Sequence, residues 1–527
     1  MSGQADDAQQ PPAQTVAFYS PTGALAADPP PDLVQHLVAL YISQVTSQIS
    51  FFTLGWFHKE LVKGGTSRAF IYAIMAMACR LYSSVIAGVD VAAMEGAMTD
   101  RAAVILARDT SAPTLSTVLA AMMLQTLGIC NGNTQAAGRY HYKSLRLLKL
   151  LDVHTPMQSE QDTHISEEHP DWDEVETRRR VWWFAYMLDR CLSVATGNQP
   201  YLDQQKSRVL FPVDEVDLER SVATNDEPLG ADADQAGRKP SSPYQWRARV
   251  LQILELQLDI VRITNQLRDD PHGASIADVC HELNRITAIF NRMGGHERSL
   301  DTMDRLCRLT MKLNTADATG DTDDGTRILK AYKVLFRVFA HCQHRAVQIA
   351  LGRAKLSLLD LDSTDIRESI VHGALEIAQL TRLIPDDLLC CMNAYHSYAV
   401  GMAGFVFSDV ANGPDDDYWP GVSRVDAVSH LQTLVACLTQ LSHSFRSLVA
   451  RRDMLQAMMR KAQARLAPAL YGSMAQQEII TTLPPALDSS MLSSQFVRSM
   501  STSILGTNAK HQHPVLSMPT DENSQQQ

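Results

Sequence analysis

Two aspartate runs in this 527-residue sequence have the composition of a magnesium clamp, Asp321-Thr322-Asp323-Asp324 and Asp415-Asp416-Asp417. Clustered carboxylates hold Mg²⁺ against a diphosphate in some all-helical enzymes, but only from the inner wall of a helix and with a second ligand motif opposite. Both runs fall in Gly- or Pro-rich polar breaks with no second Asn/Ser/Glu motif, so they read as loop turns. Of the 17 histidines, His341 and His344 stand three apart with no cysteine or acid at helical spacing alongside them, and His141 and His396 stand singly. Satisfied helix histidines are the expectation for all four. Arg178-Arg179-Arg180 has the charge of a phosphate-contacting patch, although a lone basic triplet at a helix start usually forms a solvated or ion-paired face. Arg451, Arg452, Arg460, Lys461 and Arg465 accompany Leu455, Met458 and Met459. That mixture suits a nuclear-import element or a partner-binding face, and suits an ordinary amphipathic helix better. Trp182, Trp183 and Tyr186 could line a small-molecule pocket, but aromatic residues on a buried helix are more often core. No nucleophile elbow, phosphate loop, dinucleotide fingerprint or His-Glu-x-x-His is present. The sequence assigns no catalytic residue, no cofactor-binding residue and no metal ligand, and enzymatic activity is not expected.

The elements that carry these residues belong to a large globular chain, with 45% hydrophobic residues. Cores stop growing near ~250–300 residues, so one large core or two smaller ones are allowed. Lys and Arg number 47 against 58 Asp and Glu, a net charge of −11, which makes nucleic acid a poor bulk partner. The nine cysteines lie mostly inside apolar stretches and include no Cys-x-x-Cys, the pattern of reduced thiols in a nuclear or cytosolic protein. No apolar run approaches the ~20 residues a membrane span requires.

Apolar residues at three- and four-residue spacing recur almost throughout, and strand signals are nearly absent. The expected fold is all-α, a multi-helix bundle of packed helical hairpins with disordered termini. Helices are predicted over 33–50, 68–86, 97–107, 114–130, 134–151, 173–195, 245–267, 275–291, 302–313, 327–351, 365–383, 387–406 and 423–466. The organisation expected is a disordered segment 1–31, a helical region 32–220, a linker or long loop 221–242, a helical continuation 243–470 and a disordered tail 471–527. The helices 114–130 and 134–151 meet at Asn131-Gly132-Asn133, residues that tolerate left-handed backbone, and form a hairpin.

The most informative run is Glu174-Val175-Glu176-Thr177-Arg178-Arg179-Arg180-Val181-Trp182-Trp183-Phe184-Ala185-Tyr186-Met187-Leu188-Asp189-Arg190. Its acidic start suits a helix N-terminus and its middle is apolar on nearly every face, so it is a helix inside a bundle. Asp189 and Arg190 then need hydrogen-bonded partners from other helices, because a lone buried charge is costly. A Gly197-to-Pro200 break follows.

This succession resembles the fungal-specific transcription factor domain, the middle homology region of fungal zinc-cluster regulators. The resemblance rests on the Gly-Asn hairpin turn, the step Leu150-Leu151-Asp152-Val153-His154, the Glu-x-x-x-Arg-Arg-Arg-x-Trp-Trp-x-x-Tyr-x-x-Asp-Arg run, the Gly197–Pro200 break and Pro212, with Phe51, Phe52 and Phe57-His58-Lys59 as an entry segment. It covers 33–215. Asp152 replaces the family's usual glycine, the usual proline before the entry segment is missing, and no cysteine precedes Cys79, so the family's zinc cluster and direct DNA binding do not carry over. The resemblance implies a nuclear transcription regulator that reaches DNA through a DNA-binding regulator or proteins of the transcription machinery. A small-molecule effector and a second copy are further candidate partners, and pathway-specific control of a secondary-metabolite gene cluster is a candidate role. The alternative is a helical small-molecule-binding protein or enzyme that reuses the scaffold.

Overall fold

The computed structural model describes residues 28–42, 51–80, 91–109, 112–153, 172–202, 209, 212, 243–269, 275–294, 300–315, 324–359, 363–389, 392, 394–414 and 419–471. Among these the chain is helical, with no β-strand and no helix long and apolar enough to cross a membrane. The expected linker 221–242, the segments 1–27 and 472–527, the run Asp415–Asp417, Asp321 to Asp323, and Cys390 and Cys391 lie outside the described residues.

The first helices are α1 (Pro31–Leu40), α2 (Leu54–Lys63), α3 (Arg68–Cys79), α4 (Val91–Arg108), α5 (Leu115–Cys130), α6 (Thr134–Leu150) and α7 (Trp172–Thr196). They are followed by α8 (Pro243–Asp269), α9 (Ile276–Gly294), α10 (Leu300–Thr315), α11 (Asp324–Leu359), α12 (Thr364–Leu383), α13 (Asp386–Leu389), α14 (His396–Asn412), α15 (Arg424–Ser444) and α16 (Val449–Tyr471). One connected core cluster runs from Leu33 on α1 to Ala462 on α16, so helices on both sides of 221–242 share it. A smaller cluster joins Ile253, Leu256 and Ile260 of α8 to Leu283 and Ile286 of α9 and to Val347 and Leu351 of α11.

Local chemistry sets the hairpin that frames the site. Thr114 and Thr117 form a reciprocal capping box at the start of α5. Gly132 has φ +70°, and Asn133 accepts from the Ala136 amide at 3.0 Å to cap α6. The two helices approach so closely that a Cβ at Gly128 would lie 2.8 Å from the Ala137 nitrogen. α6 ends where Asp152 takes φ +51°, the non-glycine residue with positive φ among those described. That is the left-handed position at which glycine costs least and Asp or Asn is the next choice. The departure from the expected glycine therefore keeps the backbone bend.

Several expected boundaries differ. α2 was not expected as a helix; Leu54, Leu61 and Val62 are exposed while Trp56 and Phe57 are buried, so its apolar residues do not follow one face. Thr53 caps it from its side chain and Gly64, φ +66°, stops it. The expected helix 387–406 is two elements, α13 and α14, with Tyr395 as the N-cap residue of α14; its carbonyl accepts from Gln343 Nε2 at 3.0 Å and its hydroxyl donates to Gln257 Oε1 at 2.8 Å. The expected helix 423–466 breaks at Phe445 (φ −130°, ψ 87°) and passes through a 3₁₀ turn, Arg446–Leu448, before α16. Three serines within 442–447 weaken helical propensity there, and the Ser444 carbonyl accepts from Arg80 Nη1 at 2.6 Å instead.

Candidate functional site

α7 is the hub of the first half, and its charged residues are organised as a buried lock. Asp189 and Arg190 are 1% and 4% exposed. His141 Nε2 on α6 donates to Asp189 Oδ1 at 3.1 Å, while His141 Nδ1 meets Gln125 Nε2 of α5 at 3.1 Å. His141 thereby bridges Gln125 of α5 and Asp189 of α7. Gly197, φ +73°, ends α7 and turns the chain back, so that the Tyr201 and Leu202 amides donate to the two Asp189 oxygens at 3.2 and 2.9 Å. Arg190 donates to Asp189 Oδ2 at 3.0 Å, to the Tyr186 hydroxyl at 2.7 Å and to the Leu202 carbonyl at 2.9 Å. Its Nε and the Tyr186 hydroxyl both donate to Glu255 of α8. Burial, and next the Glu255 charge, push the Tyr186 phenol up. The Asp-Arg pair and the Gly-to-Pro break thus tie α5, α6, α7, α8 and the 197–202 turn together. Each charge has partners on another element, as expected, and the two also bond each other.

The arginine triplet is spent inside the same structure. Arg180 Nε donates to Glu176 Oε1 at 2.9 Å, Arg179 lies 3.7 Å from Glu176 Oε2, and both arginines are buried. Arg178 donates to the Leu151 and Asp152 carbonyls at the C-terminus of α6, where a cation complements the helix dipole. This is the ion-paired reading, with no guanidinium of Arg179 or Arg180 presented to a phosphate. Trp182, Trp183 and Tyr186 are core. On α11, His341 Nε2 donates to Glu376 Oε2 at 2.8 Å, and His344 stacks on Phe290 at 4.3 Å. Burial raises the Glu376 carboxyl, but hydrogen bonds from His341 and His372 and the charge of Arg345 hold it well below the usual range. Among the described residues no His/Cys/Asp/Glu group could hold a metal ion. On α16, Arg451 is buried, Arg452 pairs with Asp453, and Arg465 donates to the Asn412 and Gly413 carbonyls, leaving Arg460 and Lys461 exposed.

The structure also presents a surface that motif reading did not single out. α6 contains no acidic residue and carries Arg139, Lys143, Arg146 and Lys149 in a chain of net charge −11. Lys143 turns inward to the Leu106 carbonyl at 2.6 Å. Arg139, Tyr142, Arg146 and Lys149 recur at steps of three and four and therefore share one face. All four are exposed, beside exposed Leu150. Tyr142 and Tyr201 are 54% and 58% exposed and share a 2.6 Å hydroxyl contact. Burial and the Tyr142 hydroxyl push the Tyr201 phenol up to about 12. The signal available in sequence was the absence of acids from this helix.

Comparison with known proteins gives one family. The model of the fungal specific transcription factor domain matches residues 50–311, from the Phe51-Phe52 entry through most of α10. The matched region therefore reaches beyond the 33–215 covered by the motifs, across α8 and α9. No curated protein and no solved structure matches the chain.

Proposed function

With residues 50–311 being a fungal specific transcription factor domain, we propose that the chain regulates transcription by docking the outer face of α6 onto an acidic segment of a DNA-binding regulator or of the transcription machinery. The observation that carries this reading is the exposed cationic face of α6 with Tyr142, Leu150 and Tyr201 set into it. A mixed face of this kind fits an amphipathic acidic segment, whose carboxylates meet Arg139, Arg146 and Lys149 and whose apolar residues meet the aromatic pair. Duplex DNA is the weaker partner, because it offers phosphates to the cations but nothing for the apolar part. The protein would act in the nucleus without catalysis, and pathway-specific control of a secondary-metabolite gene cluster is its proposed context.

The test uses the full chain fused to a heterologous DNA-binding module over a reporter, alongside the purified chain and mixed duplex DNA at two salt concentrations. The fusion is expected to change reporter output. R139E/R146E/K149E, checked for an unchanged melting temperature, is expected to abolish that change. The purified chain alone is expected not to bind DNA. Salt-sensitive DNA binding that the triple variant removes would replace this reading with direct phosphate contact.

A further inference from the structure

Four arginines are buried among the described residues, and three of them have a carboxylate: Arg179 and Arg180 share Glu176, and Arg190 has Asp189 and Glu255. Arg451 is the exception. It sits in the first turn of α16, 4% exposed, and its Nη1 donates to Ser397 Oγ at 2.9 Å. Its Nε has no acceptor. The groups that bear on it electrostatically are the neutral phenols of Tyr395 and Tyr398, and burial pushes its guanidinium down to about 10. A buried cation without a counter-charge is among the costlier features a fold can carry.

The surroundings are built around this side chain. Gly401 faces it, and a Cβ there would lie 3.2 Å from Arg451 Cδ, so the absence of a side chain makes room for the arginine stem. Ser397 is in the first turn of α14, whose N-cap residue, Tyr395, supplies no side-chain cap. The positive end of that helix thus adds to the guanidinium. Tyr395 and Tyr398 stack at 5.7 Å, and Tyr395 connects onward to the fully buried Gln257 of α8 and Gln343 of α11, which bond each other at 3.3 Å. Tyr395 also lies within electrostatic reach of Cys191 on α7. Polar groups from α8, α11, α14 and α16 therefore lie close together beside α7.

We propose that Arg451, with Ser397 at the N-terminus of α14, anchors the oxyanion of a small carboxylate- or phosphate-bearing effector. The planar guanidinium offers paired donors to either oxyanion, and the N-terminus of α14, whose Ser397 and Tyr398 amides bond the Ala394 and Tyr395 carbonyls, adds the positive end of its dipole. The inference goes beyond the docking role of α6 and does not rest on it, since α6 contributes no residue to this site.

The test is the melting temperature of the full chain at constant ionic strength, titrated with inorganic phosphate or with malonate against chloride. Wild type is expected to rise saturably with at least one of the two, as a ligand bound only by the folded state requires, and the effective anion identifies the oxyanion. R451M is expected to lose the response and, in chloride alone, to melt no lower than wild type, because it removes an uncompensated charge. R452M, at the half-buried neighbour that pairs with Asp453, is expected to respond as wild type does. S397A is expected to shift the response to higher anion concentration, and serves as the readout should R451M fail to fold. A wild type unmoved by both anions, an R451M that responds equally, or an S397A indistinguishable from wild type would overturn the assignment.

Discussion

Replacing Asp189 by alanine removes one acceptor from four donors at once: His141 Nε2, the Tyr201 and Leu202 amides, and Arg190 Nη1, all within 3.2 Å. At 1% exposure Asp189 is shielded from bulk solvent. Breaking a buried ion pair from one side costs ~3–5 kcal/mol, because the partner charge stays buried. Here Arg190 keeps Glu255, Tyr186 and the Leu202 carbonyl, which places the expected loss for D189A near the lower end, about 3 kcal/mol. D189N retains one acceptor oxygen but turns an amide donor toward other donors, and should cost ~1–3 kcal/mol. Urea unfolding followed by tryptophan emission reads this directly, since Trp182 and Trp183 sit on the same helix within the core. A double-mutant cycle with H141A should give a coupling of ~0.5–3 kcal/mol. A D189A loss below ~1 kcal/mol, or strict additivity with H141A, would refute the view that this pair locks α5 to α8.

Acid sensitivity is expected from His396, which is fully buried with neither ring nitrogen bonded and whose pKa burial lowers from 6.5 to about 4. The folded state then holds fewer protons than the unfolded state between those values, so stability is complete above pH 6.5 and falls as pH drops toward 4, by up to about 3 kcal/mol. H396L should remove that share of the pH slope, seen as melting curves that differ less between pH 7 and 4 than those of wild type; an unchanged slope would refute it. G128A would press a methyl into the Ala137 backbone at 2.8 Å and should destabilise by ~1–3 kcal/mol. G138A, with nothing within 4 Å, should be neutral or stabilising by up to ~1 kcal/mol in the same denaturation assay; equal effects would refute the close-approach account.

The helical periodicity made most elements legible because burial of one face dictates it. α5, α6 and α7 match the expected spans to within a residue or two. The demand that Asp189 and Arg190 be partnered was equally legible, since it follows from the cost of burying charge, whereas His141 and Glu255 as the partners depend on how distant helices pack. α2 was missed because its exposed Leu54, Leu61 and Val62 obscure the period, and the break at Phe445 because the tertiary bond from Arg80 to the Ser444 carbonyl won over local propensity. The cationic face of α6 was visible as composition. The isolation of Arg451 was not, because what marks it is a carboxylate missing from its surroundings, and surroundings are not written in spacing.

The bond from Arg80 to the Ser444 carbonyl spans 364 residues. At synthesis rates of ~5–20 residues per second, Arg80 has left the ribosome on the order of 20–70 s before its acceptor exists. During that interval α3 and α5, nearly all of whose residues are buried in the finished fold, must be kept from other chains. Closing the core on its last helices makes the nascent protein a candidate client of chaperones. Its yield in a cell would then be governed as much by the pace of translation as by the stability of the finished bundle.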